Sequence, residues 1–354
     1  MRGTATDTGL AYRRHLARRR LALLALLGVL LLACLLSACA GSAGLGPGEV
    51  LAALFGGGTP ESRAIVWSVR LPRIATAVGV GFALAMSGCV MQSVLRNPLA
   101  SASTLGVTQG ASFGAAAAIV ALGAGGAGSA QAAHPGLVAL CAFLGGMATT
   151  GVILLLSRIG GTSPSALVLA GVAISSLFTG ATTLVQYFAD DVTVSSVVYW
   201  TFGSLGRAGW REIGLLFALC LPAFCFFFWN RWNYNALESG SAAARSLGVR
   251  VDALTLASLT VCALTASAAV AFAGCISFIG LLAPHMVRRF TGSDCRFLIL
   301  GSALAGAAVL LGADVLSRVV IPPTVLPIGA ITSFLGAPVF LSILLKGGRQ
   351  PCWK

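Results

Sequence analysis

Ser165-Ala-Leu-Val-Leu-Ala-Gly-Val-Ala-Ile-Ser-Ser-Leu-Phe-Thr-Gly-Ala-Thr-Thr-Leu-Val-Gln-Tyr-Phe188 carries no charge and is long enough to cross a bilayer as a helix. Its apolar surface is broken by Gly171, Ser175, Thr179, Thr182 and Gln186, spaced three or four apart and therefore on one helical face. Lipid would penalise Gln186 and offer the hydroxyls no partner, so this stripe turns inward. Two readings follow from the stretch alone: small residues for close helix packing, or the wall of a watery passage. The rest of the chain favours the passage.

Of the 354 residues, 57% are hydrophobic and 9% charged, against about 25% charged in a soluble domain. The composition is that of an all-α, polytopic membrane protein. The 44 glycines suit tightly packed spanning helices better than the alternating strands of a barrel. A net charge of +13 would suggest nucleic acid in a soluble protein, but here the basic residues lie between apolar spans and no solvated domain remains to bind it. The ten cysteines include no C-x-x-C pair and read as small core residues.

Apolar runs predict ten spans, at about 21–40, 72–93, 103–123, 136–157, 165–188, 213–230, 252–272, 274–290, 297–320 and 327–345. The basic run Arg13-Arg-His-Leu-Ala-Arg-Arg-Arg20 before the first span anchors its start in the cytoplasm. Leu36-Ser-Ala-Cys39 resembles a lipoprotein cleavage box, yet further spans follow it, so an uncleaved helix is expected. With both termini inside, 17 of the 23 basic residues fall on the cytoplasmic side, the asymmetry that insertion demands. The expected organisation is a cytoplasmic N-terminus at 1–20, one permease domain at 21–346 with a large cytoplasmic loop at 231–250, and a cytoplasmic tail at 347–354. Asp190 to Gly209, with Trp200, predicts an external connection holding a short interfacial helix. Residues 236–248 predict a short helix with Gly248 just past its C-terminus.

No H-E-x-x-H, phosphate-cradling loop or Ser/His/Asp set occurs, and His15, His134 and His285 are scattered, which argues against a metal or haem site built by this chain. Asp314 is the one acid lying inside a span rather than at its edge, and Arg318 lies four residues on, so the two are expected to pair. A lone paired carboxylate argues against a proton-coupled secondary transporter. Arg70 and Arg73 flank Pro72 where the second span begins, a position suited to a helix's first turn. Outward-facing arginines at 70, 73 and 318 could hold carboxylates of a docking protein or snorkel to lipid phosphates; spacing leaves both open.

The motifs Arg70-Leu-Pro-Arg73, Ser87-Gly-Cys-Val-Met-Gln92, Arg96-Asn-Pro-Leu-Ala100, Leu105-Gly-Val-Thr-Gln-Gly-Ala111, Leu169-Ala-Gly-Val-Ala173 and Tyr199-Trp-Thr-Phe-Gly-Ser-Leu205 occur in order. Asn235-Ala-Leu237 with Ala244-Arg-Ser-Leu-Gly248, Gly280-Leu-Leu-Ala-Pro-His285, Ala313-Asp-Val-Leu-Ser-Arg318 and Leu326-Pro-Ile-Gly-Ala-Ile-Thr332 follow. Together, from about Arg70 to Lys346, they resemble the FecCD-type permeases, membrane subunits of ATP-driven importers for iron–siderophore complexes, haem and vitamin B12.

The resemblance implies a type II importer permease fold in the plasma membrane, with a second permease subunit, two cytoplasmic ATPase subunits that carry ATP and Mg, and an extracytoplasmic binding protein. It implies no cofactor on this chain and no catalysis by it. Gly171, Ser175, Thr179, Thr182 and Gln186 would line the pathway, and Asn97, Leu99, Ser163, Pro164 and Ser165 would gate it on the cytoplasmic side. Arg70, Arg73 and Arg318 would meet the binding protein. Asn235, Ala236, Leu237, Gly240, Ala244, Arg245, Leu247 and Gly248 would couple to the ATPase. An iron–siderophore chelate is the expected cargo, with cobalamin or haem as alternatives. A channel or secondary transporter is the competitor of another class. The sequence departs from the family pattern at Ser101 to Ser103, Ser241, Cys295 and Val325.

Overall fold

The computed structural model describes residues 3–41, 44–123, 134–160 and 164–347, and all regular structure among them is helical. In chain order the helices are α1 (Gly3–Cys39), α2 (Pro47–Leu54), α3 (Pro60–Ile65), α4 (Leu71–Val94), α5 (Val107–Val120), α6 (Pro135–Gly160), α7 (Pro164–Tyr187) and α8 (Asp191–Thr201). Then follow α9 (Trp210–Trp229), α10 (Arg231–Glu238), α11 (Ser241–Ser246), α12 (Val251–Ala273), α13 (Ile279–Thr291), α14 (Cys295–Val319) and α15 (Ile328–Gly347). Each of the ten expected spans falls on a helix. Among the described residues, seven helical stretches are long and apolar enough to cross a membrane: Leu16–Cys39, Pro60–Val94, Pro135–Leu156, Ala166–Tyr187, Trp210–Trp229, Val251–Ala273 and Cys295–Val319. Of the other three, α5 and α13 are shorter helices, and α15 has a shorter apolar part, Ile328–Ser342.

The short helices have a physical cause. α5 has 14 residues and α13 has 13, about 20 Å each at 1.5 Å per residue, too little for a bilayer core. Non-helical backbone makes up the distance at 96–106 and 274–278. Such backbone is tolerated at membrane depth only where protein covers it. Gly274, at φ +80°, is so covered: a Cβ there would stand 2.7 Å from the Trp200 carbonyl oxygen and the Gly203 Cα. Trp200 is accordingly buried against the α12–α13 break instead of facing the interface as expected.

α4 is the centre of the molecule. It continues from α3 through a wide π-type turn, Val66–Arg70, as one 35-residue rod, Pro60–Val94. Pro72 and Arg73 therefore lie inside a helix, not in its first turn as expected. The wide turn comes directly before Pro72, whose ring would otherwise meet the carbonyl four residues back. The true start is Thr59, whose side chain accepts from the Ser62 amide at 3.2 Å, with Pro60 in the first turn.

Between apolar helices in lipid the hydrophobic effect supplies little drive, so association relies on close approach and dispersion. The glycines provide it. A Cβ on Gly88 of α4 would lie 2.0 Å from the Gly280 carbonyl of α13, and one on Gly81 would lie 2.6 Å from the Gly306 carbonyl of α14. Gly110 of α5 and Gly145 of α6 meet in the same way, at 2.4 Å. Buried hydroxyls add polar links, as between Ser87 and Thr265 at 2.6 Å.

Gly88→Ala should therefore lower the thermal midpoint in detergent, the overpacking costing about 1–3 kcal/mol or more because the obstacle is backbone. Gly312→Ala, with nothing within 4 Å of the added methyl, should leave the midpoint unchanged or raise it by helix propensity.

Candidate functional site

The polar stripe of α7 divides into two parts. Gly171 is buried, and a Cβ there would stand 2.6 Å from the Thr104 carbonyl, so this position serves packing against the 96–106 loop. Ser175 and Thr179 line an open cleft of about 420 Å³ with Ser103, Thr104, Gln109, Val172 and Ser176. Thr182 and Gln186 are half-buried further along. Each hydroxyl donates to its own helix four residues back: Ser175 to Gly171 at 2.7 Å, Thr179 to Ser175 at 2.8 Å and Thr182 to Phe178 at 2.8 Å. The wall is polar yet its donors are already used. Gln109 and Thr104 were not singled out for the pathway from sequence. An amide inside a mainly apolar helix was the available signal, and Gln109 Oε1 is buried without a hydrogen-bond partner.

The cleft meets the expected gate at Thr104. Its hydroxyl donates to the Leu99 carbonyl at 3.1 Å and accepts from the Ser101 amide at 2.8 Å. Asn97 Oδ1 accepts from the Leu99 amide at 2.9 Å, closing a tight turn that leaves the Leu99 side chain 42% exposed. Pro164 and Ser165 begin α7. Ser163 lies outside the described residues.

At one end of α14, two arginines share one carboxylate and a third, Arg70, lies beside them. Asp314 Oδ1 accepts from Arg73 Nε at 2.8 Å, and Oδ2 lies 2.9 Å from Arg318 Nη2 without an aligned hydrogen bond. Arg318 also donates to the Ala40 carbonyl and to Ser37 Oγ, each at 2.7 Å. Arg70 Nη1 donates to the Ala38 carbonyl, and its Nη2 has no hydrogen-bond partner. The expectation of outward-facing arginines is corrected: Arg70 is 5% exposed, and the side chains of Arg73 and Arg318 are 16% and 10% exposed. The reason is electrostatic. The last turn of α1 presents carbonyls bearing the negative end of its dipole, and together with Asp314 they draw the guanidinium groups inward.

At the other end of α14 lies the loop expected to couple. One helix over 236–248 was expected, but Gly240, at φ +108°, divides the segment into α10 and α11. Gly248, at φ +85°, does terminate α11: its amide reaches the Arg245 carbonyl at 3.0 Å and the Val249 amide reaches Ala244 at 3.0 Å. Leu237 and Ala244 are buried and Ala236 is half-buried, whereas Leu247 is 71% exposed. Arg245 forms an exposed pair with Asp252 at 3.1 Å. Asn235 faces inward, donating to Asp294 Oδ1 at 3.1 Å and accepting from the Cys295 amide at 2.8 Å. Asp294 also receives Arg19 at 3.0 Å and Arg296 at 2.6 Å. Burial opposes its ionisation, but the hydrogen bonds from Arg296 and Asn235 win and hold its carboxyl below the usual range. Glu238 behaves oppositely: burial pushes its carboxyl up to about 7, against the nearby Arg288 charge. Among the described residues no group of three or more His, Cys, Asp or Glu could hold a metal ion.

Two predictions follow from the charged ends. Asp314→Asn leaves two buried guanidinium groups without their counter-ion, and the thermal midpoint should fall by the equivalent of about 3–5 kcal/mol. Folded Glu238 keeps its proton up to about pH 7, while the unfolded chain releases it near 4.5. The unfolded state thus binds fewer protons across that window, and stability falls as pH rises through it. Glu238→Gln should flatten that part of the midpoint-against-pH profile.

Comparison with known proteins fits this geometry. The hemin transport system permease protein HmuU of Yersinia pestis is 38% identical over 291 residues, covering 80% of this chain and 84% of that protein. The vitamin B12 import system permease protein BtuC of Escherichia coli is 39% identical over 291 residues, covering 82% and 86%. A solved structure described as an inward-facing conformation of a provisionally assigned metal-chelate type ABC transporter superposes with a TM-score of 0.81 at 28% identity, covering 92% of this chain and 98% of that one. The model of the FecCD transport family matches residues 29–346, so this multi-span membrane protein belongs to that family and is an ABC importer permease.

Proposed function

We propose that the chain moves a bulky iron–siderophore-type chelate across the cytoplasmic membrane by alternating access. The observation that carries this reading is the hydroxyl-lined cleft on α7 that runs into the 96–106 turn through Thr104. A wall whose donors are already satisfied lets a large hydrophilic solute pass without holding it, which suits a conduit whose selectivity lies in a separate binding protein. Only 17% of the apolar window of α7 is buried within one chain, against 78% for Pro60–Val94. A second copy facing it would complete the passage along Ser175, Thr179, Thr182 and Gln186.

Two ATPase subunits would carry ATP and Mg and seat against the exposed side of α10 and α11, where Leu247 and Trp232 stand out. Asn97, Leu99, Pro164 and Ser165 would border the cytoplasmic gate, with both termini on that side. An extracytoplasmic binding protein would dock over the arginine cluster, its carboxylates competing with the α1 carbonyls for Arg70 and Arg318. Residues 21–346 would then be one permease domain between cytoplasmic ends. The relatives named for hemin and vitamin B12 support a second reading in which a tetrapyrrole is the cargo.

The test is uptake into proteoliposomes holding this chain, its ATPase and its binding protein, offered a ferric siderophore, hemin or cobalamin. ATP-dependent accumulation of the siderophore is expected. Accumulation of hemin or cobalamin alone would replace the cargo, and uptake without the ATPase would overturn the importer mechanism. In the same vesicles, single cysteines at Ser175 and Thr179 in a cysteine-free chain should react with a water-soluble maleimide; protection of both in every nucleotide state would remove the passage.

A further inference from the structure

α1 is a peripheral helix, with 17% of its apolar window buried, yet polar bonds fasten it at both ends. At one end Arg19 Nη1 donates to Asp294 Oδ2 at 3.0 Å. Asp294 at the same time caps α14 through the Arg296 amide at 3.1 Å and receives Asn235 of α10 at 3.1 Å. At the other end Ser37 and Ala40 accept from Arg318, and Ala38 accepts from Arg70. Arg318 in turn shares Asp314 with Arg73.

The two helices match in length between these fasteners. Arg19 to Ser37 and Asp294 to Asp314 each rise roughly 27–30 Å at 1.5 Å per residue. Nearer the Arg19–Asp294 end they interlock, since a Cβ on Gly301 would stand 3.1 Å from Leu23 Cδ2. A parallel pair bonded at both ends and interlocked between cannot slip by a helical turn without breaking both sets of bonds. Packed interiors of this kind move as units.

We infer that α1 and α14 form a rigid connecting member between the arginine cluster and the α10–α11 loop, with Asp294 as the residue that positions α10 at its end. This rests on the functional reading above, which places a binding protein at one end and an ATPase at the other. A displacement of Arg70 or Arg318 at docking is carried by the pair to Asp294 and from there to Asn235. Arg19 and Ser37, which that reading places against neither cargo nor partner, therefore govern how strongly one end hears the other.

The experiment uses the full complex in nanodiscs, measuring ATP turnover with and without loaded binding protein, and the affinity for that protein. Arg19→Ala should leave basal turnover and affinity close to those of the native sequence while cutting the stimulation by loaded binding protein about fivefold or more, the usual scale of a site-to-site coupling. Arg19→Lys, which keeps a charge facing Asp294, should restore part of it, and Ser37→Ala should act in the same direction from the far end. Unchanged stimulation in both Arg19→Ala and Ser37→Ala would overturn the inference. So would a proportional loss of basal and stimulated turnover with a lower thermal midpoint, which marks a merely structural role. If the native complex itself shows no stimulation, the functional reading falls first, and this inference with it.

Discussion

Backbone contact between helices, made possible where Gly88 meets Gly280 and Gly81 meets Gly306, is the constraint from which the architecture follows. Lipid tails are as apolar as leucine, so burying leucine against leucine gains little in a bilayer. Helices that touch through glycine gain dispersion over their whole length, and they bring carbonyls and hydroxyls near enough for weak polar links. α4 presents such faces to α13 and α14 at once and becomes the hub. The price is tolerance, because a single methyl at Gly88 would collide with backbone that has nowhere to move.

With apolar contacts spread evenly, the few buried charges set the register. Asp314 sits near the C-terminal end of α14, and Asp294 caps its N-terminus; each collects arginines from helices distant in sequence. Neither cluster is neutral: Arg73 and Arg318 share one aspartate, and Arg70 beside them bonds only the Ala38 carbonyl. The excess is partly offset by carbonyls at the C-terminus of α1, whose dipole places negative charge where the arginines need it. A buried ion pair is weak support for stability by itself, but removing one partner is costly. The pairs therefore act chiefly as locators that forbid sliding.

Much of this was legible in the sequence because period and polarity are local properties. The ten apolar runs each became a helix, and Asp314 and Arg318, one helical turn apart, lie together. Gly248 ends its helix because only a residue free of a Cβ takes φ +85° easily. What stayed hidden depends on distant neighbours. Nothing near Arg70 in sequence announces the carbonyl of Ala38, so the arginines read as outward-facing. Pro72 reads as a helix's first turn because nothing local shows that the helix starts at Pro60 and merely widens before it. Trp200 reads as an interfacial aromatic until the α12–α13 break is seen to need a cover.

The stripe on α7 shows why one pattern supported two readings. Packing and passage both ask for small and hydroxylated residues, and the helix carries them in two settings along its length. Gly171 is consumed by contact with Thr104, while Ser175 and Thr179, one and two turns on, border the cleft. A hydroxyl that bonds its own helix has no partner to lose when its neighbour is water, lipid or a passing solute. Such a face can be covered and uncovered in turn at little energetic cost, a property that a moving passage requires and a fixed helix contact does not.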